Sequence, residues 1–193
     1  MWWGIKIVLN FRKIFWTIRY SVLFVLYKNS KLPGYLGRPS FVSSFKDLSF
    51  GKYVRIYPGM RAETLECGKI IVGNNVSIGQ NFHVVSCKND LNIGNNVVIS
   101  GNVMITNCDH EYRLIDSFLY DQPLIVKDTL IGDNCFIGYG AVILAGTILG
   151  KQCIVGANSV VRGEFPDYCV IVGNPGKVIK KYNQLDDKWE KIT

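Results

Sequence analysis

The stretch that decides the fold is "IVKDTLIGDNCFIGYGAVILAGTILGKQCIVGANSVV", residues 125–161. Stepping by six from Ile125 meets Ile131, Ile137, Ile143, Leu149, Val155 and Val161, an unbroken aliphatic ladder. With about a third of positions aliphatic, one such phase arises by chance roughly once in two thousand trials. The phase one residue earlier is apolar as well: Phe136, Val142, Ile148, Ile154 and Val160. Two residues before each ladder position stands a slim side chain: Cys135, Ala141, Thr147, Cys153 and Ser159. Glycine follows the ladder at 132, 138, 150 and 156. A period of six suits neither a helix nor simple strand alternation; it predicts a parallel β-helix, one short strand and one corner per hexapeptide. Three hexapeptides close a triangular coil, so Ile131 stacks under Leu149, Cys135 under Cys153 and Gly138 under Gly156. The ladder fills the prism and the slim residues fit its corners, which makes the stacked cysteines packing residues.

An earlier block keeps the beat with interruptions. Val72, Ile78 and Val84 form one run and Ile93, Ile99 and Ile105 another, offset by three residues, as a small corner insertion would do. "GNN" after Val72 and again after Ile93 fits turns that accept positive φ.

Between Ile105 and Ile125 the rhythm stops. The interval "TNCDHEYRLIDSFLYDQPL", residues 106–124, is long for a loop in a regular coil, and solenoids carry such insertions on one face, often the binding face. His110 stands near its start, close to the last ordered strand. Asp109, Glu111, Asp116 and Asp121 are neighbours that could orient an imidazole. Taken alone, His110 reads equally well as a solvated loop residue. The other histidine, His83, sits at a strand edge where a structural role is the plainer reading, with the lining of an acceptor site as the alternative.

The formal charge of +7 is not spread along the chain. Lys6, Arg12, Lys13, Arg19, Lys28, Lys31 and Arg38 precede the first acid, Asp47, and equal the whole excess; fifteen bases and fifteen acids remain. Charge confined to one end argues for an anionic surface near that end and against a duplex-binding groove. "MWWGIKIVLNFRKIFWTIRYSVLFVLYK" predicts a basic amphipathic helix, with Lys6, Asn10, Lys13, Thr17, Ser21 and Lys28 on one side. Lys6, Lys13 and Arg19 divide it too finely for a transmembrane span. Peripheral contact with an anionic membrane and packing against the domain or a neighbouring subunit are equal alternatives. "SKLPGYLGRPS" reads as a linker. No small-residue cleavage site follows the apolar start, so a removable signal peptide is not expected. The six cysteines show no C-x-x-C pair and no metal spacing, which suits reduced thiols in the cytoplasm and predicts no bound metal.

"GANSVVRGEFPDYCVIVGNPGKVIKKY", residues 156–182, resembles the closing motif of the hexapeptide-repeat acyltransferases, above all their sugar acetyltransferase branch. With "KWEKI" at 188–192 it is most similar to bacterial lipopolysaccharide O-antigen O-acetyltransferases. The resemblance covers about residues 65–193. It implies a left-handed parallel β-helix, all-β apart from the N-terminal helix and a short C-terminal helical tail. The expected boundaries are 1–40 for the basic segment and linker, 41–181 for the β-helix with its protruding loop at 106–124, and 182–193 for the tail. It also implies a homotrimer that binds acetyl-CoA between adjacent prisms.

Residue by residue, the resemblance implies His110 as the general base and the amide of Tyr139, in "FIGYG", as the oxyanion donor. Gly138, Phe136 and Ala157 match positions along the coenzyme, and Arg162, Lys177 and Lys180 match positions near its adenine or phosphates. Relatives often carry Trp where Phe136 stands, and "GNPAK" is common where this chain has "GNPGK". Asp116 and Asp121 are candidates for orienting His110 that no motif matches. The activity implied is acetyl transfer to a hydroxyl of a bacterial surface glycan or its sugar-nucleotide precursor. The alternative is N-acetylation of a nucleotide-linked amino sugar, where an amine needs less help from a base. A β-helix carbonic anhydrase needs about three histidines and finds two. A purely structural solenoid leaves the loop and the basic tail without a purpose.

Overall fold

A computed structural model describes residues 2–192, with side-chain surroundings from Phe11 onward. The body is a three-sided solenoid of parallel strands. One face stacks Leu48–Phe50, Ile70–Val72, Leu91–Ile93, Leu130–Ile131, Ile148–Leu149 and Glu164–Phe165. The next runs from Gly34–Leu36 through Val98–Ile99 and Phe136–Ile137 to Cys169–Val172. The third stacks Phe41–Val42, Arg61–Leu65, His83–Cys87, Met104–Thr106, Val142–Ile143 and Val160–Val161. Ladder residues stack as the six-residue period requires: Ile131 pairs with Leu149 and Ile137 with Val155. Ile131, Ile137, Ile143, Leu149, Val155 and Val161 are buried, and so are the slim corner residues Cys135, Ala141, Thr147, Cys153 and Ser159. The apolar phase beside them points outward, and Phe136 is 42% exposed.

In the earlier coils Val72 pairs with Ile93, Ile78 with Ile99 and Val84 with Ile105, so the three-residue offset is a longer corner between the third and first faces. Asn75 and Asn96, the second asparagines of the two "GNN" turns, have φ of 55° and 56°. Ile125 departs from the ladder. It pairs with Asp109 in an antiparallel arm, and the coil resumes only at Leu130.

Helix α1, Trp2–Tyr27, closes the N-terminal end of the solenoid. Tyr20 is fully buried beneath it, 6.0 Å from the Phe50 ring, and its hydroxyl donates to the carbonyls of Lys31 and Gly51. Trp16 packs on Tyr35 and Tyr57, and Arg19 donates to the Leu36 carbonyl. Such a cap is needed because an open end would expose the ladder to water. The opposite side of α1 carries Phe11, Ile14, Phe15, Ile18, Val22, Val25 and Leu26, all about half-exposed or more. Of the polar stripe, Lys13, Thr17 and Ser21 border this apolar side, while the Lys6 and Asn10 side chains lie outside the described residues. Among the described residues no helix is long and apolar enough to cross a membrane.

Two boundaries differ from expectation. The expected linker contains a strand, Gly34–Leu36, already paired in parallel with Val54–Ile56. A helical tail does not form. Lys177–Asn183 runs back antiparallel along Cys169–Val172, and Lys188–Lys191 pairs with it in turn. The physical reason is alternation: Val178 packs on the core while Lys177 and Ile179 face out, and the last coil offers an open edge that a strand can pair and a helix cannot.

Candidate active site

The site grows from the point where the third face is interrupted. After Met104–Thr106 the chain leaves the coil as an arm, Cys108–His110 paired antiparallel with Leu124–Val126. Asn107 makes the exit rigid. Fully buried, it donates to the carbonyls of Cys87 (3.1 Å) and Asn89 (2.9 Å) and accepts from the Cys87 amide at 2.7 Å. The returning strand is pinned by Thr129, whose hydroxyl donates to the Thr106 carbonyl at 2.9 Å and accepts from the Gly146 amide. His110 therefore stands on a two-stranded ribbon anchored at both feet, opposite Leu124 in register, with its side chain exposed.

Hollows open on both sides of that histidine. One, of about 570 Å³, lies between the arm and the outer surface of the third face, with Leu65, Val85, Met104 and Leu144 as an apolar floor and Glu63 at its far side. The other, of about 510 Å³, is bordered by Arg113, Lys127 and Arg162. Both fall in the size range of small-molecule sites. A base set between two cavities can serve a reaction whose partners arrive from opposite sides.

The charges around His110 differ from the expected arrangement. Among the described residues no carboxylate hydrogen-bonds to its ring. Asp116 is exposed at a φ of 55°, and Asp121 is exposed in the short turn Leu119–Asp121. Tyr120 stands beside the imidazole instead, with ring centroids 6.4 Å apart. Asp109 is paired with Arg162, and Glu111 with Arg113. Glu111 also accepts from the amides of Tyr112 and Arg113, and the Arg113 guanidinium and these amides hold its carboxyl down to about 2. Gln122, 6% exposed, folds the arm's tip by donating to the carbonyls of Leu114 and Ser117.

The residues matched to the coenzyme fall on two neighbouring faces. Phe136, Ile154, Val170 and Lys180 form one outward row across the second face, with Lys177 exposed near its end. Gly138 lies so close under the next coil that a Cβ on it would sit 2.6 Å from the Ala157 nitrogen. Outward amides at the corner between first and second faces are stoppered: Asn74, Asn95, Asp133 and Asp167 accept from Lys52, Asn74, Asn95 and Lys151. At the next corner, the amides of Tyr139 and Ala157 have no hydrogen-bond partner among the described residues. Both residues are exposed there. Arg162 stands apart from this row, on the third face, engaged by Asp109 one residue from His110.

Three parts of this geometry escaped sequence reasoning. Asn107 and Gln122 carry no motif, and only their burial with polar groups intact marks them. Glu63 and His83 are twenty residues apart and meet because coils stack at 21–22 residues here, giving a 2.9 Å contact between His83 Nε2 and Glu63 Oε1.

Comparison with known proteins agrees with the coil. Residues 128–163 match the family described as bacterial transferase hexapeptide (six repeats). The chain is 32% identical over 179 residues to the putative lipopolysaccharide biosynthesis O-acetyl transferase WbbJ of Escherichia coli (strain K12), covering 86% of this chain and 87% of that one. It is 31% identical over 133 residues to the polysialic acid O-acetyltransferase of Escherichia coli O1:K1 / APEC, covering 67% of this chain but 43% of that protein. In fold it is similar to the crystal structure of AntD, an N-acyltransferase from Bacillus cereus in complex with dTDP and 3-hydroxybutyryl-CoA. There the TM-score is 0.74 at 17% identity, over 86% of this chain and 90% of that one.

Proposed function

The chain belongs to the bacterial hexapeptide-repeat transferase family, and from that premise we propose that it transfers acetyl from acetyl-CoA to a hydroxyl of a bacterial surface-glycan sugar. The observation that carries the reading is His110 on a rigid arm between two hollows, within a chain similar over most of its length to an O-acetyl transferase. The amides of Tyr139 and Ala157, and the Phe136–Lys180 row beside them, fit the donor: N–H groups for its carbonyl and pantetheine arm, a cation for its phosphates. Acetyl-CoA supplies the activated acetyl thioester. His110 accepts the proton of the acceptor hydroxyl as its oxygen attacks, which turns a weak nucleophile into a competent one. The Tyr139 N–H donates to the negative charge developing on the carbonyl oxygen, without reorganisation because the coil fixes it. The protonated imidazole then returns its proton to the departing sulfur.

A homotrimer suits this chemistry. The outward-facing Phe136, Val142, Ile148, Ile154 and Val160, spread over the three faces, and the exposed Tyr112, Ile115 and Phe118 of the arm are apolar surface that neighbouring prisms would cover. The apolar outer side of α1, flanked by Arg12, Lys13 and Lys28, suits the anionic inner face of the cytoplasmic membrane, where it would hold the enzyme near lipid-linked glycans. Flotation with anionic vesicles should carry the protein upward and flotation with zwitterionic vesicles should not; equal behaviour with both refutes the membrane role.

The deciding experiment follows labelled acetyl from acetyl-CoA to de-O-acetylated O-antigen fragments and to nucleotide amino sugars, with products read by mass spectrometry. An alkali-labile acetyl on glycan, lost in His110→Ala, supports the proposal. Acetylation confined to amino-sugar nitrogen, with His110→Ala still active, replaces it with the N-acetyltransferase reading.

A further inference from the structure

Resting on the O-acetyltransferase reading, the geometry points to Glu63 as the residue that selects the acceptor: the hollow beneath the arm receives an uncharged pyranose, and the Glu63 carboxylate accepts a hydrogen bond from a hydroxyl on the same ring as the reacting one.

The cluster is built rather than incidental. Arg61 Nε donates to Glu63 Oε1 at 2.7 Å, and His83 Nε2 meets the same oxygen at 2.9 Å. Arg61 is itself held, its guanidinium 5.0 Å over the Phe41 ring. Two contacts on Oε1 fix the carboxylate, while Oε2 takes no hydrogen bond among the described residues. The Arg61 hydrogen bond outweighs burial and, with His83, holds this carboxyl below the ordinary glutamate value, so it meets a ligand as a pure acceptor.

Placement makes the carboxylate an acceptor-site group. Glu63 pairs with Val85 and Val85 with Thr106, which sets it two strand spacings, about 10 Å, from the strand that feeds the arm. The cavity it lines is the one His110 lines from the opposite side, with the apolar floor of Val85, Met104 and Leu144 between them. That pattern suits a sugar ring, whose C–H face lies on an apolar surface while its hydroxyls reach polar groups at both ends. The lining holds two carboxylates, Glu63 and Asp109, and no lysine or arginine; the cations beside it are already engaged, Arg61 by Glu63 and Arg162 by Asp109. An acceptor ring bearing a carboxylate, such as a uronic or sialic acid, would have to compete with Glu63 for the Arg61 guanidinium and would find no other cation in the lining to receive it. The ring at His110 is therefore neutral, whatever carries it.

The test measures acetyl transfer by wild type, Glu63→Gln and His83→Leu to neutral glycan fragments and to fragments with a uronic or sialic acid at the reacting position. Glutamine keeps the shape and removes the charge. Glu63→Gln should raise the acceptor KM by about ten- to a hundredfold with kcat for the neutral acceptor changed little, and should raise the relative kcat/KM of the acidic acceptors. That selectivity shift is a readout that a merely structural role would leave unmoved. His83→Leu, which removes one contact holding Oε1, should raise the acceptor KM less. Wild type that uses acidic and neutral acceptors equally, or Glu63→Gln with an unaltered acceptor KM, overturns the assignment while leaving O-acetylation standing. Wild type that acetylates no glycan hydroxyl overturns both.

Discussion

His110 draws its position from an arm anchored by Asn107 and Thr129 and its freedom from the lack, among the described residues, of a carboxylate clamp. Removing it should lower kcat by about 10²–10⁴-fold while the KM values change little, because a base contributes in the transition state and hardly to ground-state binding; steady-state kinetics of His110→Asn checks this. Its neighbour Glu111 carries a pH signature of a different kind. Its carboxyl is depressed in the folded chain from an ordinary 4.5 to about 2, so the stabilisation it gives is fully present above 4.5 and fades as pH falls through about 2. Glu111→Gln should therefore melt below wild type at neutral pH, and thermal melts should show that gap closing between about pH 4.5 and pH 2. Asp109 and Arg162 act together: the guanidinium ties the end of the third face to the residue before His110. Arg162→Ala should accordingly lower kcat through a looser arm, a larger effect than any rise in the acetyl-CoA KM.

At the scale of elements, the arm depends on Asn107, and no hydrophobic period predicts it. Replacing Asn107 with Leu removes three hydrogen bonds and takes from the buried Cys87 its amide's acceptor, at a cost of about 2–4 kcal/mol. Denaturant unfolding should register that loss, and acetyl transfer should fall with it as His110 loses its footing. Helix α1 is centred in a comparable way on Tyr20, whose ring and hydroxyl are both satisfied inside the cap. The C-terminal hairpin shows how local alternation prevails: "KVIKKY" has helix-compatible composition, yet Val178 is partly buried against the core and the flanking residues are exposed, because an unpaired sheet edge lies within reach.

Across the whole molecule, apolar surface is distributed unevenly. The coil is dry inside, but the outer side of α1 shows Phe15, Ile18, Val22 and Val25 to solvent at one end of the prism, on the stretch of sequence that carries the whole excess of positive charge. Replacing those four residues with serine or glutamine should change folding stability by about 0.5 kcal/mol or less per exposed site while abolishing anionic-vesicle binding. Unfolding and flotation measured on the same variant separate the two effects.

The sequence alone determined the solenoid. A six-residue period over Ile131–Val161 admits only one repeating strand-and-corner unit, because each ladder side chain must find the prism interior, and it also marked the break that bears His110. The closing motif carried the family resemblance. Tertiary structure alone decided what meets across coils: Glu63 beside His83, Arg162 beside Asp109, Asn107 bridging to Cys87 and Asn89. These partners are separated by between 18 and 53 residues. Their encounters depend on corner lengths that change from coil to coil and on how far the arm folds back over the third face, and neither quantity is written in the apolar period, which records only which side chains avoid water.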